Sequence, residues 1–213
     1  MDGRSAVIEA HPLPEPDPPL SDGVVTLRTF GPDDADQIFA ACQDPMIQRY
    51  IPVPRPYRHE DAVAYIERTR RQWREGVKAA FAVTDAKQPA TLLGAINLAV
   101  VAATGNSAYW VAPAGRGQGV AGRALVLLTG WAFETLGLGV VILEIHPENV
   151  ASQHVAEAAG YHMSGHLEVT SDTGDRDHLL YTHLAVDVQP VGPSVPGVPT
   201  ARRSPRHEGG GTR

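Results

Sequence analysis

The fold of this chain is decided by one stretch, which reads Tyr109-Trp110-Val111-Ala112-Pro113-Ala114-Gly115-Arg116-Gly117-Gln118-Gly119-Val120-Ala121-Gly122. A short apolar strand leads into a turn with three glycines, and an apolar helical pattern follows. Glycine has no Cβ, so backbone N–H groups can converge, and the first turn of a helix adds unpaired donors and partial positive charge. The stretch predicts an anion-binding cradle suited to phosphates. An ordinary strand-to-helix turn can have a similar glycine-rich sequence. The neighbouring segments are therefore needed to distinguish a phosphate-binding cradle from such a turn.

The segments on either side of the cradle predict a mixed sheet covered by helices. Apolar alternation or continuous apolar runs predict strands over residues 24–30, 79–84, 91–100, 107–111, 140–145, 162–169 and 177–184. Helical spacing and capping residues predict helices from Pro32 to the Asp44-Pro45 break and over residues 60–75, 120–136 and 150–159. Residues 46–58, interrupted by three prolines, predict an irregular loop, and Gly105-Asn106 predicts a turn. The fold class is therefore α+β, with a mixed, mostly antiparallel sheet.

The two ends differ in composition from the middle of the chain. Residues 1–21 are rich in proline, and residues 188–213 are rich in proline, glycine and arginine. Such segments bury too little apolar surface to offset the entropy of ordering, so both are predicted to be disordered tails. One globular domain over residues 22–187 remains.

Charge and cysteine content exclude several classes of protein. The 213 residues carry a formal net charge of −6, which argues against nucleic acid as a partner. Cys42 is the single cysteine and the nine histidines have no ligand spacing, so neither a disulfide framework nor a metal site is predicted. No apolar run has transmembrane length and no signal-peptide pattern opens the chain, so we predict no membrane association and a cytoplasmic location. A homodimer is a possible state of assembly.

Linked motifs along the chain resemble one known family. Arg116–Ala121 looks like the Q/R-x-x-G-x-G/A acetyl-CoA motif of GCN5-related N-acetyltransferases (GNAT), and Leu143-Glu144-Ile145 and Pro147–Ser152 are similar to the segments that follow it there. The resemblance is strongest from Tyr109 to Tyr161 and is greatest to the bacterial RimJ/RimL-type ribosomal-protein N-acetyltransferases. It implies the GNAT fold, with two strands splayed apart at the acyl-CoA site.

The resemblance also implies how acetyl-CoA, the co-substrate, would bind. Its pyrophosphate would lie on the cradle, whose residues are Arg116, Gly117, Gln118, Gly119, Val120 and Ala121. The backbone N–H of Trp110 or Val111 would polarise the thioester carbonyl, as in an oxyanion hole. Asn149 and Ser152 would hold the pantetheine end, although an N-cap and a first-turn serine are sufficient structural reasons for both residues.

Glu144 is the candidate general base. In related N-terminal-alanine acetyltransferases a glutamate stands five residues before the asparagine, as Glu144 precedes Asn149. An acid within an apolar strand is unusual, and burial raises the pKa of a carboxyl group toward values useful in proton transfer. The alternatives are that Glu144 lies at a frayed strand end or pairs with an arginine.

The tyrosine that serves many family members as general acid is absent here, because Ala156 stands at its position. Ser152, a water molecule or no dedicated group would then protonate the leaving thiolate.

Two further residues are candidates for the acceptor side. Tyr50 lies in the proline-stiffened segment that would line a pocket, and Glu168 on the penultimate strand would hold or deprotonate the amine.

The sequence therefore predicts an acetyl-CoA-dependent N-acetyltransferase in which a neutral primary amine attacks the thioester directly. The amine would belong to a protein N-terminus or to a small molecule. One alternative is a non-catalytic acyl-CoA-binding or regulatory module, favoured by Ala156 alone. A remote alternative is a dinucleotide-binding oxidoreductase, because residues 117–122 also match G-x-G-x-x-G.

Overall fold

A computed structural model describes residues 11–171 and 174–187 of the chain. In these ranges the strands are β1 (Leu20–Ser21), β2 (Val25–Arg28), β3 (Lys78–Asp85), β4 (Leu92–Val101), β5 (Thr104–Val111), β6 (Val140–Ile145), β7 (His162–Ser171) and β8 (Gly174–Leu184). The α-helices are α1 (Ala35–Ala41), α2 (Pro45–Tyr50), α3 (His59–Arg74), α4 (Val120–Glu134) and α5 (Val150–Ala158). Short 3-10 turns span Pro32–Asp34, Pro113–Gly115 and Ala185–Asp187.

The strands form one sheet in the order β1-β2-β3-β4-β5-β6-β8-β7. Within the described residues, β5 and β6 are the one parallel pair, joined by a crossover through α4. All other neighbours are antiparallel. The predicted α+β class with a mixed, mostly antiparallel sheet is confirmed. A dinucleotide-binding unit needs a sheet of successive parallel strands, so that alternative does not fit this topology.

The helices cover the two faces of the sheet unequally. On one face, α4 and α5 pack along the sheet, and residues such as Leu125 and Leu128 share a core with Phe81 and Val141. On the other face, α1, α2 and α3 form a second core over β3 and β4, with Ile38 at its centre. Their cover stops short of β6, since Asn106, Ala108 and Glu144 on this face are exposed. The sheet therefore presents an uncovered surface beside the second core.

The N-terminal segment differs from its prediction. Leu13 N–H donates to Trp73 O (3.1 Å), and Trp73 Nε1 donates to Leu13 O (2.7 Å). Leu20 and Ser21 pair with β2. A disordered tail over residues 1–21 is thus wrong for residues 11–21, because apolar side chains among the prolines reach the core. Residues 1–10 and the predicted tail at 188–213 lie outside the described residues.

The segment predicted to be an irregular loop begins with a helix instead. Asp44 caps α2, and its Oδ1 accepts from the N–H groups of Met46 (3.0 Å) and Ile47 (3.1 Å). Pro45 occupies the first helical position, where its missing N–H costs nothing. The Asp-Pro pair therefore starts a helix as well as ending the previous one.

The turn between β4 and β5 lies at Ala102-Ala103, not at the predicted Gly105-Asn106. Ala102 takes the left-handed backbone conformation with φ of +52°. Gly105 is a strand residue, and a Cβ added there would lie 2.6 Å from the Leu98 side chain. Close packing accounts for this glycine. The predicted hairpin of β7 and β8 is confirmed, and residues 172–173 at its tip lie outside the described residues.

Candidate active site

Strands β5 and β6 separate at their C-terminal ends. Their parallel register runs from Thr104 opposite Val140 to Ser107 opposite Leu143, and β5 then continues to Val111 paired with β4 alone. A gap therefore opens between residues 108–111 and 144–145. This is the predicted splay, and it exposes one edge of each backbone to a ligand.

The hydrogen-bonding pattern of β5 selects which N–H groups face the gap. Ala112 N donates to Leu93 O on β4 (2.8 Å). In an antiparallel ladder alternate residues point to opposite neighbours, so the N–H of Trp110 also points to β4. The N–H groups of Tyr109 and Val111 point into the gap. Of the two predicted oxyanion donors, Val111 has the suitable direction and Trp110 does not.

The cradle follows β5 and ends in the first turn of α4. Gly117 and Gly119 have φ of +72° and +71°, a left-handed conformation that residues with a Cβ rarely adopt. Gly119 is the N-cap of α4. Within the described residues, no side chain caps this helix start and no acidic residue lies in its first turn. The first N–H groups of this helix therefore have no capping side chain, and the helix dipole favours an anion beside them.

The polar side chains of the cradle hold the loop instead of filling it. Arg116 makes two contacts with the carboxylate of Asp44, at 2.6 and 3.2 Å. Gln118 Nε2 donates to Ala114 O (2.6 Å). The hydrogen bond from Arg116 holds the pKa of Asp44 below its usual range. The backbone amides, and not these side chains, are therefore the groups free to bind a ligand.

A groove of about 420 Å³ continues from the cradle between α4 and α5. Gly119, Gly122, Arg123 and Ala158 line it. The Arg123 guanidinium donates to Asp22 (2.6 Å), which also lines the groove, so this ion pair adds no net charge beside the cradle. Sequence reasoning did not assign Arg123 to this region, although it lies one helical turn after Gly119. The groove is open to solvent and adjoins the cradle at Gly119.

Asn149 and Ser152 lie at the other border of the gap, where α5 begins. Asn149 is the N-cap of α5, and its Oδ1 accepts from Ser152 N–H (3.2 Å). Ser152 Oγ lies 2.7 Å from the hydroxyl of Tyr109 on β5. The structural roles expected of both residues are present. The gap is thus bridged by one hydroxyl pair.

Glu144 is placed differently from its prediction. Val141, Leu143 and Ile145 are buried under α4 and α5, whereas Glu144 points to the opposite face and is exposed. Asn106 Nδ2 donates to Glu144 Oε1. Among the described residues no arginine or lysine forms an ion pair with it. The expected burial is therefore wrong, and an accessible, singly held carboxylate is found at the mouth of the gap.

Helix α2 brings Tyr50 toward the same region. Arg49 forms an ion pair with Glu148 in the loop after β6 (2.6 Å), and the Tyr50 hydroxyl donates to Glu148 O (3.4 Å). The Tyr50 ring lies 5.8 Å from that of His146, which lies 6.3 Å from His178. Sequence reasoning did not predict that His178 lies beside His146. Together these rings form an aromatic wall beside the uncovered sheet surface.

Glu168 does not join this group. Leu167 pairs with His178 in the β7–β8 register, and Glu168, the next residue, points to the opposite face. His166, on the same face as Glu168, lies 3.6 Å from Asp177. Glu144 and Glu168 therefore lie on different faces of the sheet. The prediction that Glu168 holds the acceptor amine does not fit its position.

The described residues contain neither a metal-binding cluster nor a membrane-spanning helix. No group of three or more His, Cys, Asp or Glu side chains in residues 11–171 and 174–187 is arranged to hold a metal ion. In the same ranges no helix has both the length and the apolar character needed to cross a bilayer.

Comparison with known families gives one match. The family described as acetyltransferase (GNAT) domain matches residues 25–162, which include the sheet from β2 to β6, the cradle and α5. No curated protein sequence matches the chain.

Solved structures share the fold at low sequence identity. RimJ of Mycobacterium smegmatis, in complex with CoA-disulfide, is 24% identical, with 78% of this chain and 84% of that one covered and a TM-score of 0.69. Spermidine N-acetyltransferase of Vibrio cholerae, in complex with CoA and spermine, is 22% identical, with coverages of 78% and 98% and a TM-score of 0.65. The microcin C7 self-immunity acetyltransferase MccE, in complex with acetyl-CoA and AMP, is 15% identical, with coverages of 78% and 94% and a TM-score of 0.67.

Proposed function

The chain belongs to the acetyltransferase (GNAT) domain family, and from this premise we propose that it is an acetyl-CoA-dependent N-acetyltransferase acting on a primary amine. One observation carries the proposal. The anion cradle at Gly117–Gly119 and the accessible carboxylate of Glu144 lie on opposite borders of the gap between β5 and β6. A thioester donor and an amine acceptor can therefore meet between them.

The donor half of the proposal rests on backbone groups. The backbone amides from Gln118 to Ala121 receive the pyrophosphate of acetyl-CoA. The pantetheine arm lies in the gap, with Asn149 and Ser152 at its end. The N–H of Val111 donates to the thioester carbonyl and stabilises the negative charge that develops on its oxygen. RimJ and MccE, which share the fold, are complexes with CoA-disulfide and acetyl-CoA, in support of this donor.

The acceptor half rests on side chains of the uncovered sheet surface. Glu144 accepts a proton from the amine, directly or through one water molecule, as nitrogen attacks the carbonyl carbon. Asn106 orients its carboxylate. Tyr50 and His146 bound the acceptor on the side of α2. The membership of the RimJ/RimL branch, a cytoplasmic location and a homodimer stay predictions.

A non-catalytic acyl-CoA-binding module is the second candidate, and Ala156 favours it. An alanine carries no hydroxyl to donate to the leaving thiolate, and this position on α5 is fully buried. Binding of acetyl-CoA alone does not separate the two candidates, because the same cradle would serve both.

Release of free CoA thiol during incubation with a panel of primary amines distinguishes the N-acetyltransferase from the non-catalytic binding module. The panel contains peptides with free N-termini, polyamines and amino acids, and acetyl-CoA affinity is measured in parallel by calorimetry. We expect amine-dependent thiol release with at least one class. Tight acetyl-CoA binding with no release above the no-amine background would reject the enzyme and favour the binding module.

A further inference from the structure

A hydroxyl pair crosses the gap at the point where the donor would lie. The Tyr109 hydroxyl on β5 is 2.7 Å from Ser152 Oγ in the first turn of α5, and it is also 3.3 Å from Ser152 O. Tyr109 lies between Ser107, where pairing of β5 with β6 ends, and Val111, whose N–H enters the gap. The two hydroxyls therefore stand beside the expected thioester.

Tyr109 differs from the tyrosine that serves the core. Tyr161 is fully buried, and its hydroxyl bonds to that of Thr129 (2.6 Å) below α4. Tyr109 is half-buried, with its ring against the core and its hydroxyl at the border of the gap. The hydroxyl of each tyrosine forms a hydrogen bond, but only the partner of Tyr109, Ser152, belongs to the candidate site.

We propose that Tyr109 positions Ser152 and resupplies its proton, so that the pair protonates the departing thiolate. This inference rests on the proposed function. As the amine nitrogen forms the new C–N bond, the C–S bond breaks and the sulfur takes the proton of Ser152 Oγ. Ser152 takes a proton from Tyr109 Oη, and solvent water restores that of Tyr109. The proton of the amine leaves separately through Glu144.

Two further observations agree with this assignment. Burial raises the pKa of Tyr109 to about 12, and the hydrogen bond to Ser152 opposes this rise only in part. Tyr109 therefore remains protonated at neutral pH and can donate. Ala156, one turn after Ser152 on α5, carries no hydroxyl and is fully buried. Among the described side chains of α5, Ser152 is then the hydroxyl donor next to the gap.

The test compares Tyr109→Phe, Ser152→Ala, the double variant and the control Tyr161→Phe. Each Tyr→Phe change removes only the hydroxyl and keeps the ring that packs against the core. Circular dichroism verifies folding, and thiol release measures activity. We expect Tyr109→Phe to lower kcat roughly tenfold, while the KM for acetyl-CoA changes less than about twofold. The double variant should be no slower than Ser152→Ala, because both changes interrupt one path. Tyr161→Phe should keep wild-type kcat.

The pH profile supplies a readout that a structural role would not change. Wild-type kcat should stay level up to about pH 10, given the pKa of Tyr109. In Tyr109→Phe, kcat should fall as pH rises, because acids from solution must replace the lost donor. Wild-type kcat and profile in Tyr109→Phe, or losses that add in the double variant, would overturn the inference. No turnover by the wild-type protein with any amine would overturn the proposed function first, and this inference with it.

Discussion

The donor side and the acceptor side of the gap are built in different ways. On the donor side, consecutive residues from Gln118 to Ala121 supply backbone amides, and the left-handed glycines set their direction. On the acceptor side, each group comes from a different element. Arg49 and Glu148, whose ion pair joins α2 to the loop after β6, are 99 positions apart in the chain.

The difference shows which forces each side depends on. The donor side depends on local backbone conformation, so a short sequence motif is enough to specify it. The acceptor side depends on the packing of α2 over the sheet edge. Helix α2 also links the two sides, because Asp44 at its start binds Arg116 of the cradle and Tyr50 at its end reaches Glu148.

The largest effect is expected on the acceptor side. Glu144→Gln should lower kcat/KM at neutral pH by roughly 10²- to 10⁴-fold, because the amine then loses its proton acceptor. Glu168→Gln is the matched control, since the same change is made on the opposite face. It should leave kcat/KM unchanged in the thiol-release assay. Wild-type turnover in Glu144→Gln at neutral pH, or equal losses in both variants, would reject Glu144 as the base.

The next effect is expected on the donor side. Gly119→Val should weaken acetyl-CoA binding by about tenfold or more, because a β-branched residue at φ of +71° costs roughly 1–2 kcal/mol and turns the amides away. Calorimetric titration measures the affinity. Gly130→Ala, in the body of α4 where an added Cβ would meet open space, is the control. It should keep the affinity and stabilise the fold by about 0.5–1 kcal/mol. Equal affinities in both variants would refute the cradle.

A smaller effect is expected at the link between the two sides. Asp44→Ala removes the cap of α2 and the ion pair with Arg116, and should lower the free energy of unfolding by about 1–2 kcal/mol. Asp44→Asn keeps a capping oxygen, so its loss should be about 0.2–1 kcal/mol. Urea unfolding measures both. Equal losses in the two variants would show that the cap contributes nothing.

The smallest effect is a change in pH dependence at the same link. Because Arg116 lowers the pKa of Asp44 in the folded state, the stabilisation is fully present above the unfolded pKa of about 3.9. It is lost as pH falls through the lower folded pKa. Asp44→Asn should therefore flatten the decline of unfolding free energy below about pH 5 relative to wild type. Parallel declines in urea titrations at several pH values would contradict this.

Most elements were predictable because their signals are local. The strand over residues 140–145 has the predicted bounds, and α4 starts at Val120 as expected. Helix α2 was missed because the prolines at 52, 54 and 56 outweighed the capping signal of Asp44-Pro45. The segment at 11–21 was missed because composition does not reveal that Leu13 and Trp73 meet.

The acceptor side was predictable only in part. The motif located Glu144, but an apolar strand does not reveal which of its faces a helix covers. Cover by α1–α3 ends before β6, so Glu144 is exposed and Glu168 lies on the other face. The contact of Tyr109 with Ser152, 43 positions apart, has no sequence signal at all.

The sequence by itself determined the glycine-rich turn before α4, the order of most strands and helices, and the family, since these follow from short-range backbone preferences and from motif spacing. Tertiary structure alone decided which face Glu144 occupies, which N–H of β5 enters the gap, and which hydroxyl meets Ser152. The physical reason is that these depend on where the sheet splays and where helices stop covering it. Such long-range packing is a property of the assembled fold and of no single segment.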